Sequence, residues 1–117
     1  MGRLTTHVLD TAAGVPAHGM RVDLHAITTA PVTALISVRT NADGRAPHAL
    51  LEADALQAGR YELHFHVADY FREHGAALPD PPFLDVVVIR FGVADPAQHY
   101  HVPLLVSPWS YSTYRGS

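Results

Sequence analysis

Cysteine is absent from the 117 residues, and so is lysine. Without cysteine there is no disulfide, thiolate metal ligand or thiol nucleophile, and the fold must be held by its core and by association. Without lysine there is no amine to form a Schiff base. All eight basic residues are arginines, charged residues make up 16%, and the net charge is −3 with histidine neutral. That balance argues against a protein that grips nucleic acid through its phosphates. No apolar run approaches the roughly 20 residues of a membrane span, and the first residues do not have the make-up of a signal peptide. A cytoplasmic chain with neither nucleic-acid nor membrane partners is therefore expected. With 48% apolar residues, one domain over residues 1–117, built on a single core, is expected at this length. What the chain has in excess is histidine, nine in all.

Alternation with period two, broken by turn residues, organises the chain. Leu4 to Asp10 reads as a first strand, ended by Ala13-Gly14-Val15-Pro16. Met20 to Ile27 places Met20, Val22, Leu24 and Ala26 on one face, and Thr33 to Thr40 places Ala34, Ile36 and Val38 on one face. Asn41-Ala42-Asp43-Gly44 is turn chemistry, with Arg45 immediately after it. Between Ala46 and Gly59, Leu50, Leu51, Ala55 and Leu56 fit a short turn of helix weakly. Arg60 to Val67 is a clear strand, with Tyr61, Leu63, Phe65 and Val67 opposite Glu62, His64 and His66. Asp69 is placed to cap a short helix through Tyr70–His74, stopped at Gly75. Phe83 to Arg90 has a continuous apolar centre that predicts burial on both faces, and Asp95-Pro96 marks a turn. His99 to Ser107 and Trp109 to Tyr114 are the last two strands, the former with Tyr100, Val102, Leu104 and Val106 inward. Seven or eight short strands with one short helix, in antiparallel order, describe an all-β sandwich.

Several polar residues stand out. His64 with His66, and His99 with His101, are two apart on strands, so each pair points one way with Cα atoms roughly 6.5–7 Å apart. That spacing permits metal chelation, but no third ligand stands at an obvious spacing, and no metal is assigned. Taken alone, His7, opposite in parity to Leu4, Thr6 and Val8, reads as a tethered structural histidine. Arg45 alone reads as a solvated loop charge. Ser107, Ser110 and Ser112 are not set in a Gly-x-Ser-x-Gly elbow, so a serine nucleophile is disfavoured.

Taken together, the segments resemble the 5-hydroxyisourate hydrolase family, the enzymes related to transthyretin. The resemblance is carried by Leu4-Thr5-Thr6-His7-Val8-Leu9-Asp10 with Gly14-Val15-Pro16-Ala17 behind it, by Asp43-Gly44-Arg45, and by His99-Tyr100-His101-Val102-Pro103-Leu104-Leu105 running into Ser107-Pro108-Trp109. The closing Tyr114-Arg115-Gly116-Ser117 matches the family's terminal tetrapeptide. The resemblance implies a transthyretin-like antiparallel β-sandwich, assembled as a homotetramer (a dimer of dimers) with sites between the dimers. It implies hydrolysis of 5-hydroxyisourate to 2-oxo-4-hydroxy-4-carboxy-5-ureidoimidazoline in purine breakdown, with no metal or organic cofactor. His7, Arg45, His101 and Ser117 match catalytic positions, and His7, Arg45 and Tyr114 match substrate-binding ones. The alternative is a small-ligand carrier of the transthyretin type, but those carriers lack the tetrapeptide and the histidines matching His7 and His101.

The residue types suit that chemistry on their own account. Opening a cyclic amide with water needs a base, a donor for the developing oxyanion and an acid for the leaving nitrogen. Imidazole titrates near neutrality and can serve as base or acid. A guanidinium stays charged and presents a planar fork to carbonyl oxygens. A cation beside a histidine also disfavours its protonated form. Which histidine is the base is left open by the sequence.

Overall fold

The alternation emerges as two stacked sheets in the computed structural model, which describes residues 1–27 and 34–116. In the first sheet the strands run β2 (Val15–Pro16), β1 (Arg3–Asp10), β8 (Tyr100–Val106) and β9 (Tyr111–Thr113), with β5 (Leu51–Glu52) also paired to β1. In the second the order is β4 (Ala34–Arg39), β3 (Arg21–Ile27), β6 (Gly59–Phe65) and β7 (Val87–Val93). The inward residues of both sheets meet in the core. Leu4 and Val8 of β1, Val22 and Leu24 of β3, Leu63 and Phe65 of β6, and Leu104 and Val106 of β8 are all fully buried. Each such side chain contributes about 1.5–3 kcal/mol through removal from water.

The helix α1 (Val67–Glu73) follows β6 and buries Val67, Ala68, Tyr70 and Phe71. The Tyr70 hydroxyl donates to Asp10 Oδ2 at 2.9 Å, which pins the helix to the end of β1. Burial and the Asp10 carboxylate push the Tyr70 phenol well above its ordinary range, so it stays a donor.

Five expectations need correction. The sandwich is not wholly antiparallel, because β1 and β8 run parallel, from Leu4 opposite Tyr100 to Asp10 opposite Val106. Residues 46–59 form no α-helical turn. Their backbone is drawn to β1, where Leu50 N donates to Leu4 O and β5 pairs with Arg3 and Leu4, and a 3₁₀ turn over Ala53–Ala55 follows. Asp69 does not cap α1, since burial of Val67 and Ala68 starts the helix earlier, with His66 at the cap position and Asp69 within the first turn. The strand expected from Phe83 begins only at Val87, and Val86 and Val88 are exposed; among the described residues β7 ends its sheet, paired with β6 alone. The last strand is only Tyr111–Thr113, leaving Trp109 and Tyr114 outside it. The expected start of β4 at Thr33 lies outside the described residues.

Candidate functional site

One edge of β1 is taken by β8. The other is shared by β2 at Leu9 and Asp10 and by β5 at Arg3 and Leu4, which leaves a gap opposite His7. The turn at Asn41–Arg45 fills that gap through a bridge between His7 and Arg45. Its shape follows from its residues. Asn41 Oδ1 accepts from the backbone N–H of Asp43 at 3.0 Å and of Arg45 at 3.1 Å, the side-chain turn that asparagine favours. Gly44 has φ +77°, and a Cβ there would fall 2.3 Å from the Val8 carbonyl oxygen, so no other residue fits without moving backbone. Gly44 O in turn accepts from Val8 N at 2.7 Å, fastening the turn to β1. Arg45 thereby leaves a rigid turn beside His7.

Across β1 on its other side, the parallel register sets Thr5 opposite His101 and His7 opposite Pro103. His7 and His101 are therefore diagonal neighbours on the sheet's outer face. His7 Nε2 donates to the Asp43 carbonyl at 2.8 Å, and Thr5 Oγ1 lies 2.8 Å from His101 Nδ1. Beyond β8 the segment around Gly116 continues the sheet: Gly116 N donates to His101 O at 2.7 Å and His101 N to Gly116 O at 3.3 Å. Arg115 holds this tail down, with Nη2 donating to Gln98 Oε1 and the His99 carbonyl and its guanidinium 4.4 Å from the centre of the Tyr100 ring.

These groups border a cleft of about 390 Å³ lined by Arg3, Thr5, Arg45, His99 and His101, with His7 at its flank through the bridge to Arg45. A larger hollow of about 500 Å³ near Met1 has Asp54 as its sole charged side chain and offers little chemistry. Burial of His101, then the Arg45 guanidinium, then His7, holds the His101 imidazole below its ordinary pKa. Its neutral form is thus favoured.

Of the residues singled out in the sequence, the structure gathers His7, Arg45 and His101 at one place. Tyr114 is elsewhere in the single chain: it is exposed and lines a separate groove of about 260 Å³ with Ile89, Phe91, Tyr100 and Val102. Ser117 lies outside the described residues. Thr5 was missed as a site residue, although its parity with His7 on β1 was the available signal. His64 and His66 are each hydrogen-bonded through Nε2 to a carboxylate, Glu62 and Asp23 respectively, on the outer face of the other sheet. Among the described residues, no three His, Asp or Glu side chains are grouped to hold a metal ion.

A two-sheet sandwich carrying two imidazoles and a guanidinium on one outer face, beside a Gly116 bridged to His101, is a transthyretin-like protein with the fittings of a site. The chain belongs to the HIUase/Transthyretin family, whose model matches residues 4–116. It is 64% identical to a 5-hydroxyisourate hydrolase of Ralstonia nicotianae, over all of both chains. Its fold is similar to a crystal structure of (S)-allantoin synthase (TM-score 0.94, 45% identity), covering 99% of this chain and 44% of that longer one. It is also similar to sea bream transthyretin solved with thyroxine (TM-score 0.86, 27% identity), covering 97% of this chain and 94% of the other.

Proposed function

We propose that this chain catalyses the hydrolysis of 5-hydroxyisourate, as the name of its Ralstonia relative indicates for that protein. The observation that carries the reading is the gathering of His7, Arg45 and His101 on one outer face, the latter two lining a common cleft, from three distant stretches of chain. One imidazole takes a proton from water, whose oxygen then bonds to the ring carbonyl carbon. Arg45 orients the carbonyl-rich ring and faces the developing oxyanion, a contribution of about 3 kcal/mol for one well-placed donor. The carbon–nitrogen bond then breaks, the nitrogen takes the proton held by the imidazole, and the carboxylic acid left on carbon releases its own proton to solvent. Water supplies both fragments, and no covalent enzyme intermediate is needed.

In this reading Tyr114 bounds the substrate and Ser117 contributes through its hydroxyl, both within a tetramer whose dimers meet over the cleft. The chain acts as a single domain in the cytoplasm. Among the described residues no helix is long and apolar enough to cross a membrane. The test is the ultraviolet absorbance of freshly generated 5-hydroxyisourate: its decay is faster with protein than without. Equal decay rates refute the hydrolase reading and favour a carrier.

A further inference from the structure

Two hydrogen bonds at the cleft set the two imidazoles apart. A backbone carbonyl can only accept, so the bond from His7 to the Asp43 oxygen fixes hydrogen on Nε2. Neutral His7 therefore keeps its lone pair on Nδ1. At His101 it is Nδ1 that is engaged, by the Thr5 hydroxyl. A hydroxyl can donate or accept, but Thr5 Oγ1 has no other hydrogen-bond partner among the described residues. Donation to Nδ1 is the arrangement that satisfies its proton within the protein. Neutral His101 then carries its hydrogen on Nε2.

We propose that Thr5 is a positioning residue for the hydrolysis described above: its hydroxyl donates to His101 Nδ1, keeps the ring proton on Nε2, and so divides the work between the two histidines. His7 accepts the water proton at Nδ1 as the oxygen–carbon bond forms. The same proton passes from His7 to the leaving nitrogen as the carbon–nitrogen bond breaks, and His7 returns to its starting form. His101 remains neutral throughout and donates Nε2–H to the oxyanion beside Arg45. No imidazolate is required, and the sum is one water added across one amide bond. The depressed basicity of His101 suits this role, since a ring that stays neutral keeps the hydrogen position that Thr5 selects. The reaction rests on the hydrolase reading; the hydrogen-bond assignment does not.

The test combines tautomer and rate. Long-range ¹H–¹⁵N correlation spectra of the whole protein near pH 8, with histidine ¹⁵N labels, are expected to show His101 protonated at Nε2 and His7 at Nε2. In Thr5→Val, which keeps the branched shape of the strand residue, His101 shifts toward the Nδ1–H form. Its kcat falls about tenfold with KM unchanged, the size expected for losing one hydrogen bond that orients an oxyanion donor. Thr5→Ser keeps the hydroxyl and restores both tautomer and rate. A wild-type His101 protonated at Nδ1, or a folded Thr5→Val protein with unchanged tautomer and kcat, overturns the proposal. Wild-type protein that shows the expected tautomers but does not hydrolyse 5-hydroxyisourate refutes the hydrolase reading while supporting the Thr5–His101 assignment.

Discussion

Arg45 acts in two ways at the scale of the single residue. It lines the cleft, where the proposed reaction sets its charge against the substrate, and it also bears on His101, whose pKa is held down by burial first, by Arg45 second and by His7 third. Arg45→Met is therefore expected to lower kcat/KM by about 10²–10³, the range for loss of one oxyanion donor. The same change raises the His101 pKa part of the way toward its ordinary 6.5, because burial remains. The sign follows from the cation's repulsion of a second positive charge. An NMR titration of the His101 ring in wild type and variant checks it: a variant pKa equal to or below that of the wild type contradicts the account. Linkage runs the same way. A folded-state pKa below the unfolded value means the folded chain binds fewer protons below pH 6.5, so this group makes the fold less stable as the medium becomes more acid.

At the scale of the element, the docked tail and the second sheet lead to different expectations. A Cβ on Gly116 would lie 2.9 Å from His101 Cδ2 and 3.0 Å from its Cβ, so Gly116→Ala must turn the His101 ring or lift the tail. The expected result is a kcat loss of tenfold or more with thermal stability nearly unchanged; full activity means the tail does not seat His101. On the outer face of the other sheet, burial alone would raise the Asp23 pKa, but bonds from Ser37, His66 and Arg21 outweigh it and hold it at about 2 instead of 3.8. Its ionised form thus stabilises the fold above the ordinary carboxylate pKa and loses that contribution as pH falls from 3.8 toward about 2. Asp23→Asn is expected to cost on the order of 2 kcal/mol in urea unfolding at neutral pH, a difference that shrinks below pH 3.8, with kcat unaffected. The strands that carry these groups were legible because alternation reports a face directly, and β1, β3, β6 and β8 follow it closely. β5 was not, because two residues carry no period and its partner is nearly fifty positions away. The parallel pairing of β1 with β8 was hidden for the same reason: parity tells which side chains share a face but not which way the neighbouring strand runs. The convergence of His7, Arg45 and His101 could be anticipated only through the family resemblance, while the parity of Thr5 with His7 gave its face but its place beside His101 needed the register between β1 and β8.

At the scale of the whole molecule, the single chain leaves Phe83, Trp109, Tyr111 and Tyr114 exposed, together with Val88 on the terminal strand β7. Aromatic side chains in such number on one small protein mark surfaces that seek partners. Light scattering is expected to give four times the 12.7 kDa of one chain, and a monomer at micromolar concentration contradicts the proposed assembly. The groove containing Tyr114 and the cleft containing His101 lie apart in one chain, so assembly is the step that would let Tyr114 reach a substrate. The account stands most directly on the decay rate of fresh 5-hydroxyisourate with wild-type protein and with an assembled, folded His101→Ala protein. Rapid decay with the first and a rate reduced at least 10²-fold with the second is the expected result. Equal rates for the two proteins would contradict it.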